Sequence, residues 1–278
     1  MANEMMIDMW NNQSGPAWVA GQARMDRQLD PVGRLALEAL APQLGERIAD
    51  VGCGTGSTTL QLTEAVGPQG AVVGVDISAP MLALARQRAA TRPNVTFVEG
   101  DAQTHSFSPA SFDGAFSRFG VMFFDDPAVA FANLLAAVRP GGRLAFVCWQ
   151  SFERNGWMGD WAALVADLIP PPPPAPPGAP GPFAFGDPDR VRSILERAGW
   201  RDIAFDARGV ELLVATNVEE AMAGVQEVGP IAGSLRAADQ PTRTAALARI
   251  EAKVRERLTT GPLVAPGAVW VVHARRGG

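Results

Sequence analysis

The stretch that decides the fold is DVGCGTG, residues 50–56, which follows a short apolar run and carries glycine at every second position. A strand that leads into a glycine loop and then a helix brings a ligand against backbone amides at the helix N-terminus. The spacing G-x-G-x-G differs from the dinucleotide fingerprint G-x-G-x-x-G, because Ser57 stands at the position of that third glycine. The loop alone does not identify its ligand, so the strand ends that follow have to be considered with it.

Residues 46–149 alternate short β-type runs with longer helical ones, which is typical of a parallel sheet with crossover helices. Ser78 predicts a helix N-cap, and RPGGR at 139–143 predicts a hinge between a helix and the next strand. The proline run at 170–182 is expected to be a surface connector, because proline lacks an amide donor. We predict strands at 47–51, 71–76, 95–99, 112–117, 143–149, 202–210 and 268–275, and helices at 57–66, 79–92, 127–138, 187–198, 217–228 and 242–259.

The 278 residues are enough for one domain with a sizeable core, and we expect 1–278 to form a single unit. Its predicted parts are a helical lid at 1–45, a ligand-binding core at 46–150, cap helices at 151–200 and 211–265, and the last two strands at 201–210 and 266–276.

The composition argues against several classes of partner. The net charge is -5, so no overall field attracts a phosphate backbone or an anionic membrane face. No apolar run approaches membrane-spanning length, and the first residues lack the apolar stretch of a signal peptide. Cys53 and Cys148 fit no metal or redox spacing. We therefore expect a cytoplasmic protein that binds neither nucleic acid nor a membrane.

Acidic residues follow the second and third predicted strands, at the edge where such sheets bind ligands. Asp76 ends the second strand, where a carboxylate accepts hydrogen bonds from both hydroxyls of a ribose. Asp101 follows the third strand within EGDAQ. Together with the glycine loop, three successive strand ends predict one nucleoside site.

Five stretches stand in a characteristic order: IADVGCGTG (48–56), VVGVDISAPML (72–82), VEGDAQ (98–103), FDGAFSRFGVMFF (112–124) and VRPGGRLAFVCW (138–149). In order and spacing they resemble the class I S-adenosylmethionine-dependent methyltransferases, particularly the branch of ubiquinone/menaquinone C-methyltransferases and related small-molecule methyltransferases. The expected fold is therefore α/β, a Rossmann-like, doubly wound, seven-stranded and mostly parallel sheet with the last strand antiparallel and a helical cap.

The resemblance implies S-adenosyl-L-methionine as cofactor and S-adenosyl-L-homocysteine as product. It assigns the methionine part to Asp50 and the glycine loop, the ribose to Asp76, the adenine faces to Ile77 and Met81, the adenine edge to Asp101 and Ala102, and the neighbourhood of the sulfonium to Ser117. The loop residues concerned are Gly52, Cys53, Gly54, Thr55 and Gly56.

The sequence offers few candidates for a general base, since it contains two histidines and no tyrosine. His105 follows Asp101 in a loop, and His273 falls in the last predicted strand, where a structural role is expected. Arg118, beside the expected sulfonium site, is a candidate for orienting an anionic or carbonyl oxygen. The catalytic candidates are thus His105 and Arg118, the base itself is not identified, and no metal is expected.

Aromatic side chains cluster in the segments expected to surround the methyl donor, which predicts a largely apolar substrate pocket under a lid. The predicted pocket residues are Trp18, Phe119, Phe123, Trp149 and Trp157. The favoured function is in-line methyl transfer to a small, fairly apolar metabolite. The alternatives are a quinone-ring C-methyltransferase, a non-catalytic S-adenosylmethionine-binding protein and an NAD-dependent oxidoreductase. The sequence specifies neither the acceptor nor the oligomeric state.

Overall fold

Short runs rich in valine and alanine form the strands. The strands Arg47–Val51 and Ala71–Asp76 are mostly buried or half-buried, because helices cover both faces of a parallel sheet. A computed structural model describes residues 3–171, 176, 178–227 and 229–278. Within these residues the strands are β1 Arg47–Val51, β2 Ala71–Asp76, β3 Val95–Glu99, β4 Phe112–Arg118, β5 Val138–Trp149, β6 Trp200–Ala215 and β7 Leu263–Arg276.

In the described part of the chain the seven strands form one sheet in the order β3-β2-β1-β4-β5-β7-β6. Neighbours from β3 to β5 pair in parallel, while β7 pairs antiparallel with both β5 and β6. The predicted α/β fold class, with its antiparallel last strand, is confirmed. The chain reverses strand order beside β1, so the ends of β1, β2 and β4 meet at the crevice where open α/β sheets bind ligands.

The N-terminal segment is helical, and its longest helix packs over β4, β5, β6 and β7. The helices are α1 Glu4–Asn12, α2 Ser14–Ala20, α3 Gln22–Leu40, α4 Ser57–Val66, α5 Ala79–Arg88, α6 Pro127–Ala137, α7 Asp160–Leu164, α8 Pro188–Arg197, α9 Val218–Glu227, α10 Pro230–Ala237 and α11 Gln240–Leu258, with short 3₁₀ helices at Gly120–Phe123 and Phe152–Gly159.

Several local predictions differ from the structure. The segment 139–143 is no hinge, because α6 ends at Ala137 and β5 begins directly at Val138, with an irregular register opposite β4. Ser78 occupies the N-cap position of α5, but its side chain makes no capping hydrogen bond. The strands β6 and β7 are several residues longer than predicted. Of the predicted proline connector, residues 172–175 and 177 lie outside the described residues.

Two apolar clusters hold the structure together. The larger one fills both faces of the sheet and buries large side chains such as Phe116, Phe146 and Trp200. The smaller one joins the cap helices through residues such as Val225 and Ile250. No helix in the described part of the chain is both long and apolar enough to cross a bilayer. The space between the two clusters holds the candidate site.

Candidate active site

The alternating glycines of the loop after β1 are required by backbone conformation. Gly52, Gly54 and Gly56 have φ angles of 68°, 54° and 82°, in the left-handed region that favours glycine. A β-carbon at Gly52 would also lie 2.6 Å from Cα of Gly120, so the loop packs directly against the chain after β4. The loop therefore keeps a fixed shape that other residues would disturb.

The carboxylate of Asp76 joins this loop to the end of β2. Its Oδ2 accepts a hydrogen bond from the amide of Gly54 at 2.7 Å, and its Oδ1 accepts one from the amide of Ser78 at 2.8 Å. Burial raises the pKa of Asp76, and these amide hydrogen bonds oppose that rise. Each carboxylate oxygen has a second lone pair, so the group can still accept hydrogen bonds from ligand hydroxyls.

Asp50 supports the loop from behind. Its side chain is 0% exposed, and its Oδ2 accepts hydrogen bonds from the hydroxyls of Thr58 at 2.8 Å and Thr59 at 2.7 Å. Burial raises the pKa of Asp50 to about 6, although both hydroxyls favour the ionised form. Its Oδ1 is buried and has no partner among the described residues. Asp50 thus fixes the first turn of α4 beneath the loop.

One cavity of about 730 Å³ joins the loop to the ends of β2 and β3. Ligand pockets commonly enclose roughly 300–1,000 Å³, so this space is large enough for a nucleoside and a second small molecule. The structure brings most predicted cofactor residues together in its wall. These are Gly52, Cys53, Gly54, Thr55, Asp76, Ile77, Met81, Asp101 and Ala102.

Among the described residues, the wall of this cavity does not include the predicted site residues Asp50, Gly56, Ser117 and His105. The hydroxyl of Ser117 donates to the carbonyl of Val51 at 2.7 Å and so holds the end of β4 to β1. Asp50 and Ser117 therefore lie behind the wall, where they position the loop without contacting the cavity. His105 instead packs edge-to-face on its neighbour Phe107, which places the histidine candidate for catalysis outside the cavity.

All five predicted substrate-pocket aromatics also line the cavity: Trp18, Phe119, Phe123, Trp149 and Trp157. The ring of Phe119 stacks on that of Trp149, with centroids 4.4 Å apart and planes 17° apart. Phe119 has a φ of 70°, a strained backbone conformation of the kind that concentrates at functional sites. The indole Nε1 of Trp157 is buried without a partner among the described residues.

Arg118 also lines the cavity, beside the N-terminal part of α4. Its guanidinium makes no hydrogen bond or ion pair with any described residue, and its Nη1 is fully buried. Burial lowers the pKa of Arg118, while the charges of Asp26 and Asp50 raise it. A buried cation without a direct partner is costly, so this group is available to an anionic oxygen of a ligand.

Sequence reasoning missed much of the cavity wall. The missed residues include Met6 and Met9 of α1, Met25, Gln28 and Leu29 of α3, Val225, Ile231 and Ala232 of the cap, and Leu263 to Pro266 of β7. One signal was available, because the stretch VELLVA at 210–215, a short and mostly apolar run, is consistent with a strand and extends β6 towards the cap. The contribution of α1 depends on tertiary contacts that no local pattern indicates.

Comparison with known proteins agrees with this geometry. Residues 48–142 match a family model described as a methyltransferase domain. Over 118 residues the chain is 37% identical to the aklanonic acid methyltransferase DauC of Streptomyces sp. (strain C5), covering 42% of this chain and 54% of that protein. Over 109 residues it is 38% identical to a demethylmenaquinone methyltransferase of Staphylococcus aureus, covering 39% and 44% respectively. Residues 48–142 are therefore similar to a methyltransferase domain, in agreement with the resemblance. The chain spans about half the length of these curated relatives.

The fold is also similar to that of the YcgJ protein of Bacillus subtilis. The TM-score is 0.56 at 14% sequence identity, and the match covers 88% of this chain and 98% of that one. At this identity the likeness concerns the arrangement of strands and helices only.

Replacing Asp50 by asparagine is expected to change how stability depends on pH. The folded-state pKa of about 6 lies above the ordinary value of 3.8, so ionisation of Asp50 opposes folding. This penalty is absent below about pH 4, grows as the pH rises through about 6, and then amounts to roughly 3 kcal/mol. Urea unfolding of Asp50→Asn should therefore show a stability, relative to the wild type, that improves as the pH is raised over this range. Parallel pH profiles of the two proteins would contradict the assignment.

Proposed function

We propose that the protein is an S-adenosylmethionine-dependent methyltransferase that acts on a small, fairly apolar metabolite. The observation that carries this proposal is the continuous cavity, whose wall combines nucleoside-type strand ends with aromatic and aliphatic side chains. A transferase of this kind needs both halves in one enclosed space, because donor and acceptor must be aligned and water excluded.

The residues present fit the cofactor. The conformation of the loop leaves free space beside Gly54. A β-carbon at Gly54 would occupy this space and lie 2.8 Å from Cε of Met81. In this proposal the loop residues Gly52 to Thr55 hold the amino-acid end, Asp76 accepts hydrogen bonds from the ribose, and Ile77, Met81, Asp101 and Ala102 surround the adenine. S-adenosylmethionine, when bound, supplies a methyl group already activated by a positively charged sulfur.

The wall of the cavity supports an apolar, ring-containing acceptor. It combines the stacked pair Phe119 and Trp149 with aliphatic residues such as Val225 and Ile231. Flat aromatic surfaces favour ring systems through stacking. The two curated relatives are named for aklanonic acid and demethylmenaquinone. A quinone-ring C-methyltransferase therefore stays as the second candidate within the class.

The chain's own residues suit an acceptor that arrives already ionised. His105 lies outside the cavity, and His273 sits within β7 opposite Ala145. The carboxylates at the cap end are engaged, because Glu227 pairs with Arg24 at 2.9 Å and Asp160 pairs with Arg257 at 3.3 Å. In this proposal Arg118 holds an anionic oxygen of the acceptor, the aromatic wall orients its ring, and the lid excludes water.

Calorimetry with S-adenosylhomocysteine, S-adenosylmethionine and NAD tests the class of function. We expect the first two to bind and NAD not to bind. Binding of NAD alone would end the proposal. Incubation with a methyl-labelled donor and metabolite extract, followed by mass spectrometry, should reveal a labelled product. Binding without any labelled product would favour the non-catalytic S-adenosylmethionine-binding protein instead.

Substitution of Trp157 by alanine is expected to lower turnover at least about tenfold while changing the affinity for S-adenosylhomocysteine much less, because its ring belongs to the acceptor wall. Label incorporation and calorimetry measure the two effects separately. Phe152→Ala is a suitable control, since Phe152 is exposed at 44% and is not part of the cavity wall among the described residues. Equal losses of turnover and cofactor affinity in Trp157→Ala would count against the pocket assignment.

Substitution of Arg118 by glutamine is expected to lower label incorporation at least about tenfold, because a charge-assisted contact to the acceptor is lost. The affinity for S-adenosylhomocysteine should stay close to that of the wild type. Arg236→Gln, at the cap end of the same cavity, serves as the control. A second ligand, 5′-methylthioadenosine, lacks the amino-acid end of S-adenosylhomocysteine. If Arg118→Gln binds S-adenosylhomocysteine more weakly but 5′-methylthioadenosine equally well, Arg118 contacts the carboxylate of the donor and not the acceptor.

A further inference from the structure

Helix α5 is capped by a residue from a distant part of the chain. The N-cap residue Ser78 does not cap it, because its hydroxyl donates to the carbonyl of Trp10 at 2.7 Å. Asn11, in the last turn of α1, takes over this role: its Oδ1 accepts a hydrogen bond from the amide of Ala79 at 2.9 Å. The Nδ2 of Asn11 also donates to the carbonyl of Ile77 at 2.9 Å. One side chain thus binds both sides of the turn between β2 and α5.

This turn is the one that the proposed function assigns to the adenosine. Asp76 precedes the turn and accepts a hydrogen bond from the amide of Ser78, and Ile77 lies in the cavity wall. On the other side, α1 contributes Met6, Met9 and Trp10 to the same cavity. The helix is therefore both a wall of the cavity and an element attached to its adenosine end.

The fit between α1 and the turn is tight, and a glycine makes it possible. A β-carbon at Gly15 would lie 1.9 Å from the carbonyl oxygen of Trp10 and 2.5 Å from Oγ of Ser78. Such distances are impossible, so any other residue at this position displaces the carbonyl or the hydroxyl. A second contact holds the start of α1 in place, because Nδ2 of Asn3 donates a hydrogen bond to Oδ2 of Asp101 at 3.3 Å.

We propose that Asn11 is a positioning residue that couples docking of α1 to occupancy of the adenosine end of the cavity, an inference that rests on the proposed function. Asn11 is not among the described residues that line the cavity, so it acts through the turn at Ile77–Ala79. A ligand that holds this turn in its docked shape favours the docked helix. By linkage, the docked helix must then tighten the binding of that ligand. Undocking of α1 consequently weakens the binding of an adenosyl ligand.

A comparison of Asn11→Ala with Asn12→Ala tests the coupling. Asn12 is an exposed neighbour in the same helix, and its side chain bonds only Asp8 one turn earlier, at 2.7 Å. Both variants make the same chemical change in α1, but only the first removes the contacts to the turn. The probe is S-adenosylhomocysteine, with its affinity measured by calorimetry and its release by stopped-flow tryptophan fluorescence.

We expect Asn11→Ala to bind S-adenosylhomocysteine at least about tenfold more weakly, mainly through faster release, and Asn12→Ala to match the wild type. Amide hydrogen exchange gives a second readout that a merely stabilising role would not produce. In the wild type and in Asn12→Ala the probe should slow exchange within residues 4–12, and in Asn11→Ala it should not.

Gly15→Ala provides an independent variant, because it disturbs the docked helix without removing a polar group; it should also release the probe faster. Two results would overturn the coupling: equal affinity and release rate in the Asn11→Ala and Asn12→Ala proteins, or wild-type exchange within α1 that the probe does not alter. In either case wild-type binding of the probe would leave the proposed function intact. A wild type that does not bind the probe would remove both.

Discussion

The arrangement of the site depends on the half-buried carboxylate of Asp76, which accepts hydrogen bonds from the amides of Gly54 and Ser78 at 2.7 and 2.8 Å. These amides belong to two different strand ends, and a buried amide without a partner is costly. The carboxylate therefore fixes the glycine loop relative to the turn after β2. That turn in turn receives Asn11 from α1. A single acceptor thus sets the position of the loop, the turn and, through the turn, the lid.

The region around the glycine loop is energetically costly, because it buries polar and charged atoms that have no hydrogen-bond partner among the described residues. Within the described part of the chain, most of the buried side-chain atoms without a hydrogen-bond partner belong to residues grouped behind and beside the glycine loop. They are Asp26 Oδ1, Asp50 Oδ1, Gln61 Oε1 and Arg118 Nη1. Two of these residues are held by nearby side chains: Arg88 links Asp26 to the carbonyl of Thr55, and Gln61 donates to Asp30. Departures from local stability rules are expected where a protein binds a ligand, and here they surround the proposed donor end.

The sequence predicted the central sheet well because its signals are local. Each of the strands from β1 to β4 is a short apolar run that ends at a glycine loop, an acidic residue or a turn, and the predicted starts agree with the structure. The residues proposed to line the cofactor end follow directly from those strand ends. Asp50 and Ser117 were assigned to the ligand by resemblance, yet both are turned into the protein by hydrogen bonds, to the hydroxyls of Thr58 and Thr59 and to the carbonyl of Val51. Their positions on the strands could be predicted from the sequence, but the side to which each side chain points could not.

The contributions of Asn11 and of the β6–β7 extension depend on contacts between residues far apart in the chain, which no local pattern contains.

The central claim is that three strand ends form one adenosyl-binding crevice. Hydrogen exchange of the wild type, measured with and without S-adenosylhomocysteine, tests it most directly, because exchange reports on each segment separately. The account predicts that the ligand slows exchange together in residues 50–56, 76–81 and 100–103, with half-maximal protection at the same ligand concentration in all three. Protection of only one of these segments, or protection that appears at different concentrations, would contradict a single shared site.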